Sequence, residues 1–121
     1  MNLKKIMEIQ KEFDSIHGWT PQPYLEDILL AINKDIIGIV GELGEFSNQI
    51  KKLNLISDSN KKNELQISYN EKKENLSEEI VDTFIYIIRL ASHLEIDLEQ
   101  EYLKKLEINK VKFKEFIINN E

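Results

Sequence analysis

The chain contains no cysteine, only two prolines, four glycines and one tryptophan. Without cysteine there are no disulfides, no thiolate zinc sites and no cysteine nucleophile, which fits a reducing cytosol. No stretch approaches the roughly 20 apolar residues of a membrane span. The opening MNLKKIMEIQKEF alternates charged and apolar residues instead of offering the continuous apolar core of a signal peptide. A cytoplasmic protein that does not enter a membrane is the expectation. Positive charge is also scarce: 16 Lys and Arg against 22 Asp and Glu leave a formal net charge of −6. That balance argues against nucleic acid as a partner, because non-specific binding needs a basic footprint. An acidic chain can still take a phosphorylated small molecule when divalent cations neutralise both partners.

What is present is periodic apolar sequence. Hydrophobic residues are 41% of 121, enough for one folded domain over residues 1–121 and one core. The 3.6-residue period predicts an all-α protein of four to five helices. The first spans Asn2 to Ile16, with Leu3, Ile6, Met7, Ile9, Phe13 and Ile16 inward, and His17-Gly18-Trp19-Thr20-Pro21-Gln22-Pro23 ends it. Residues 24–53 read as helix, and the pattern leaves open whether that is one helix or two with a kink at Asn33. Leu55 to Asn75 is polar, of mixed charge and weakly periodic, which predicts an exposed connection. Asn75 with Glu78 then reads as a capping box. It opens a helix to Leu94 that is apolar on nearly every side and therefore expected to be central and buried. Asp97 reads as the N-cap of a last helix running to about Ile118, with Leu98, Tyr102, Leu106, Phe113 and Phe116 inward.

Two stretches carry candidate chemistry. Gly38 to Lys52, GIVGELGEFSNQIKK, holds three of the four glycines, Gly38, Gly41 and Gly44. Each costs roughly 1 kcal/mol against alanine within a helix, and together they leave a bare strip beside Glu42 and Glu45. The second is the buried helix, whose polar exceptions Glu79, Asp82, Tyr86, Arg89 and His93 fall in one narrow sector. A buried carboxylate is costly unless paired or metal-bound, so this seam is either a salt-bridge ladder, with Arg89 pairing on its own face, or a site. Packed antiparallel at roughly 8–10 Å, the two helices would bring Glu42, Glu45, Glu79 and Asp82 to one volume. An all-oxygen nest of this charge suits Mg²⁺, with Mn²⁺ as a substitute, and does not suit zinc or copper. A di-iron centre would want Glu-x-x-His pairs, which are absent. On the last helix Lys105, Asn109 and Lys112 share an edge, either as ordinary snorkelling side chains or as a cationic edge for phosphate. The lone Trp19 is either a plug at the helix junction or a flat face for a nucleobase.

These motifs resemble the MazG-like, all-α nucleoside triphosphate pyrophosphohydrolase superfamily. The resembling segments are HGW at 17–19, GIVGELGEFSNQIKK at 38–52, EEIVDTFIYIIRLA at 78–91 and IDLEQEYLKKLEINKVKF at 96–113. The resemblance implies a helical bundle completed by oligomerisation, as a homodimer or dimer of dimers. It implies Mg²⁺-dependent hydrolysis of a (deoxy)nucleoside triphosphate to monophosphate and pyrophosphate, in nucleotide-pool house-cleaning with a lean to pyrimidine dNTPs. By position, Glu42, Glu45, Glu79 and Asp82 would be metal ligands and the catalytic set. Tyr86 would contact the nucleotide, Lys105, Asn109 and Lys112 would face the triphosphate or sugar, and Trp19 would lie near the base. Asn48 and Lys52 extend the first motif. The chain departs from compact members in its long connections before Glu42 and before Glu79, and in having His17 where a basic residue is common. The alternative is a non-catalytic helical module with the same fold that binds nucleotide or a protein partner.

Overall fold

The computed structural model describes residues 1–118. These form four α-helices and a final short turn of 3-10 helix, with no strand among the described residues: α1 Leu3–Ile16, α2 Leu25–Asp58, α3 Lys62–His93, α4 Leu98–Lys112, then Lys114–Phe116. No described helix is long and apolar enough to cross a membrane.

α1 starts where Asn2 Oδ1 accepts from the Lys5 backbone N–H at 2.9 Å. It ends in a Schellman turn. Gly18, at φ +73°, lets Trp19 N–H reach the Asp14 carbonyl at 2.9 Å and its own N–H reach that of Ser15 at 3.0 Å. α3 closes the same way through Glu95 at φ 55°, with Ile96 N–H on the Ala91 carbonyl at 2.9 Å. Asp97 then caps α4 through its side chain, as its type and position predict.

The dominant feature is the hairpin of α2 and α3, 34 and 32 residues long, each arm about 50 Å at 1.5 Å per residue. Of residues 24–53, all but the extended N-cap Tyr24 therefore lie in one helix with no break at Asn33. The predicted connection at 55–75 is not a loop. α2 runs on to Asp58, only residues 59–61 turn, with Asn60 left-handed at φ 58°, and α3 begins at Lys62. Asn75 sits inside α3, so the capping box with Glu78 does not exist. The signal was thin because the buried stripe is sparse. Leu65, Ser68, Lys72 and Leu76 are the covered positions on one arm, and Leu53 and Ile56 on the other. About one covered side chain per turn suffices for a two-helix contact, whereas the polar remainder reads as loop.

The core is small. Leu53, Leu76, Ile88 and Ala91 are its buried apolar residues, and Ile88 alone is fully enclosed. α3 is thus not buried all round: Ile80, Val81, Phe84 and Ile87 are exposed. A helix apolar on every side needs neighbours on every side, and within one chain α3 has α2 along one face and α1 near its end. α1 turns Leu3, Ile6, Met7, Gln10 and Asp14 inward and leaves the expected Ile9, Phe13 and Ile16 outside. α4 leans on α1 alone in extended packing. It stops at Lys112, short of Ile118, and of its expected inward set only Leu98 is partly covered.

Candidate functional site

The register of the hairpin follows from three cross-contacts: Asp35 with His93, Gly38 with Tyr86 and Gln49 with Glu79. As one number rises the other falls, so α2 and α3 run antiparallel, and Glu42 and Glu45 lie beside Asp82 and Glu79. Glu79 is buried at 9% exposure. Gln49 Nε2 donates to its Oε1 at 2.8 Å, and Thr83 Oγ1 donates to its backbone carbonyl at 2.7 Å. Its Oε2 is buried with no partner. Burial and then the charges of Asp82, Glu45 and Glu79 raise the Glu42 carboxyl above its ordinary value. The four acidic residues are therefore near enough to repel, and no lysine or arginine forms an ion pair with them among the described residues. They are not a finished cage: among the described residues no three histidine, aspartate or glutamate side chains are placed to hold a metal ion.

The bare strip divides in two. A methyl group at Gly38 would overlap the Tyr86 ring, so that glycine admits a close approach within the chain. Gly41 and Gly44 face open space beside the carboxylates.

Toward the C-terminus of α3 the basic members of the polar seam each face a carboxylate. Arg89 Nε donates to both oxygens of Asp14 at 3.1 Å, and its Nη2 stands 3.0 Å from Oδ1. Gln10 donates to the same carboxylate at 2.9 Å. The partner of Arg89 is thus an aspartate from α1, not an acid on its own helix face. His93 Nδ1 comes within 2.7 Å of Asp35 Oδ2, yet neither atom has a partner in hydrogen-bond alignment. The pair is a close polar contact that becomes an ion pair when the imidazole is protonated. Burial raises the Asp35 carboxyl above its ordinary value, with His93 and Arg89 offsetting part of the rise.

Between this paired end and the Gly18–Gln22 turn lies a cavity of about 470 Å³, bounded by Trp19, Lys34, Asp35, Tyr86, Arg89 and His93 among others. Trp19 remains 54% exposed. The Arg89 guanidinium stands 5.2 Å from its ring centroid and 5.5 Å from that of Tyr86, and His17 stacks on the indole at 4.8 Å. Trp19 and Tyr86 therefore share one cavity, one helical turn along the hairpin from Asp82.

Lys105, Asn109 and Lys112 are not brought to this place within one chain. They sit on α4, which has no extended packing on α2 or α3, and Lys112 lies over the Phe113 ring instead. Asn48 and Lys52 are exposed on α2, without ion pairs or side-chain hydrogen bonds among the described residues. Sequence reasoning passed over Asp14, Asp35 and Gln49. The available signal was a polar residue falling within an apolar stripe, as Asp35 does between Ile32 and Ile39. No family model, curated protein or solved structure matches the chain.

Proposed function

We propose that the chain is a Mg²⁺-dependent nucleoside triphosphate pyrophosphohydrolase of the MazG-like all-α kind that its motifs resemble. The observation that carries the proposal is Glu79: a buried carboxylate with an orphaned oxygen, in a group of four acids with which no lysine or arginine among the described residues forms an ion pair. Of the four only Glu79 is buried, and a buried carboxylate oxygen without a donor is costly until a donor or a cation meets it. The all-oxygen donor set, beside the open backbone at Gly41 and Gly44, fits Mg²⁺ or Mn²⁺. Glu42, Glu45, Glu79 and Asp82 would hold it, and when bound it would supply an activated water and charge neutralisation at the phosphates. Gln49 holds one oxygen of Glu79, and the other is buried without a partner among the described residues. Trp19 and Tyr86 bound the space for the base.

The exposed apolar faces of α2, α3 and α4 support the expected homodimer or dimer of dimers. Lys105, Asn109 and Lys112 meet the triphosphate in that assembly and not in the isolated chain. Incubation with Mg²⁺ and a panel of (d)NTPs should give monophosphate and pyrophosphate from at least one of them, read by phosphorus NMR. Glu79→Gln and Asp82→Asn should abolish it. Release of orthophosphate and a diphosphate, or turnover that persists in EDTA, contradicts the proposal.

The non-catalytic module remains the second reading, and it is consistent with there being, among the described residues, no three histidine, aspartate or glutamate side chains placed to hold a metal ion. It predicts nucleotide binding without turnover, or neither.

A further inference from the structure

Asp35 is the most thoroughly buried carboxylate described, at 5% exposure, and it borders the 470 Å³ cavity. Its surroundings leave it short of donors. Arg89 is engaged three ways by Asp14, and His93 is close but out of alignment. A desolvated acceptor without an aligned donor is costly, by roughly 1–3 kcal/mol for such a group, and a ligand N–H directed at it would remove that cost. We propose that the cavity takes the heterocycle of a nucleotide and that Asp35 reads an exocyclic amino group on it, so that cytosine and adenine are preferred to uracil and thymine.

The proposal rests on the nucleotide reading above and adds the discriminating residue. The cavity volume falls within the roughly 300–1,000 Å³ of small-molecule sites, and its walls include the flat groups of Trp19, Tyr86 and Arg89. Its position along the hairpin also fits. Tyr86 and Gly38 lie four residues from Asp82 and Glu42, about 6 Å of axial rise, which leaves room for a sugar between base and phosphates. An anionic ligand group gains no net attraction at this end, because Arg89 is already neutralised by Asp14 and the remaining charged lining is Lys34 against Asp27 and Asp35. A uracil or thymine carbonyl turned toward Asp35 would set acceptor against acceptor.

The test is equilibrium binding of dCMP, dAMP, dUMP and dTMP to the full chain without metal, alongside pyrophosphate release from the four corresponding triphosphates with Mg²⁺. The wild type should bind dCMP at least about tenfold more tightly than dUMP, the discrimination expected when one aligned hydrogen bond to a charged group is made or lost. Asp35→Asn, nearly isosteric, exchanges an acceptor for a donor and should erase or invert that ratio. If that variant fails to fold, the wild-type ratio of two ligands differing at one group still decides. Equal binding, or a preference for dUMP, overturns the proposal. Turnover of all four triphosphates without preference sinks this inference and leaves the hydrolase reading standing. Amino-selective binding without turnover does the reverse.

Discussion

The two halves of the polar seam on α3 are built from similar residues and end in opposite states. Near its C-terminus, Arg89 pairs with Asp14 from α1, and the His93 imidazole lies 2.7 Å from Asp35 of α2, so basic side chains face acidic ones across three helices. In the middle of α3, Glu79 and Asp82 meet Glu42 and Glu45, and negative charge faces negative charge. One end is a structural clasp that holds α1 on the hairpin. The other is left unneutralised along a face where α2 is stripped to bare backbone at Gly41 and Gly44. The contrast teaches that a polar stripe on an apolar helix need not have one purpose along its length.

The comparison is most easily broken at its extremes. Arg89→Ala leaves Asp14 buried without its cation and should cost about 3 kcal/mol or more, seen as a large fall in the denaturant midpoint. Glu79→Gln and Asp82→Asn relieve repulsion and should leave stability unchanged or raise it by up to about 1 kcal/mol. If all three variants destabilise alike, both halves are one structural ladder and the contrast is void.

A smaller effect separates the glycines. Gly38→Ala forces a methyl group into the Tyr86 ring, an overpacking cost of about 1–3 kcal/mol against a helix gain of about 1 kcal/mol, for a net loss. Gly41→Ala meets open space and should gain up to about 1 kcal/mol. Thermal melts of the two variants give the signs directly, and a loss at Gly41 would mean that α2 is covered there.

The smallest expected effect is in pH. Glu42 and Asp35 have carboxyls raised in the fold. Just above the ordinary carboxylate range the native chain therefore holds protons that the unfolded chain has released. Their contribution to stability is complete below the unfolded value and is lost as pH rises through the folded one. In a melting series across mildly acidic pH, Glu42→Gln should show a shallower decline with rising pH than the wild type. A steeper decline would mean that Glu42 is stabilised as an anion.

The helices were legible because periodicity reports a covered face, and the ends of α1 and the start of α4 were legible because Gly18 and Asp97 have local chemistry. The hairpin tip was not. Its stripe around Leu65 and Leu76 is too sparse to stand out from Glu and Lys, and Asn60 alone marks the turn. The four acidic positions could be named from spacing, and the antiparallel register sets them on neighbouring stretches of α2 and α3, though no three of them are placed to hold a metal ion. The partners of Arg89 and His93 could not, because Asp14 and Asp35 are distant in sequence and look like ordinary surface residues. The burial expected of α3 failed because the pattern records every face that is apolar without saying whether anything covers it.

The claim that the unneutralised half is a cation site is tested most directly by titrating Mn²⁺ into the protein and following free Mn²⁺ by electron paramagnetic resonance, with and without a non-hydrolysable triphosphate. The account predicts saturable binding that competes with Mg²⁺, survives Asp35→Asn at the paired end, and is lost in Glu79→Gln and Asp82→Asn. Binding that is absent in the wild type under both conditions, or undiminished in those two variants, would contradict it.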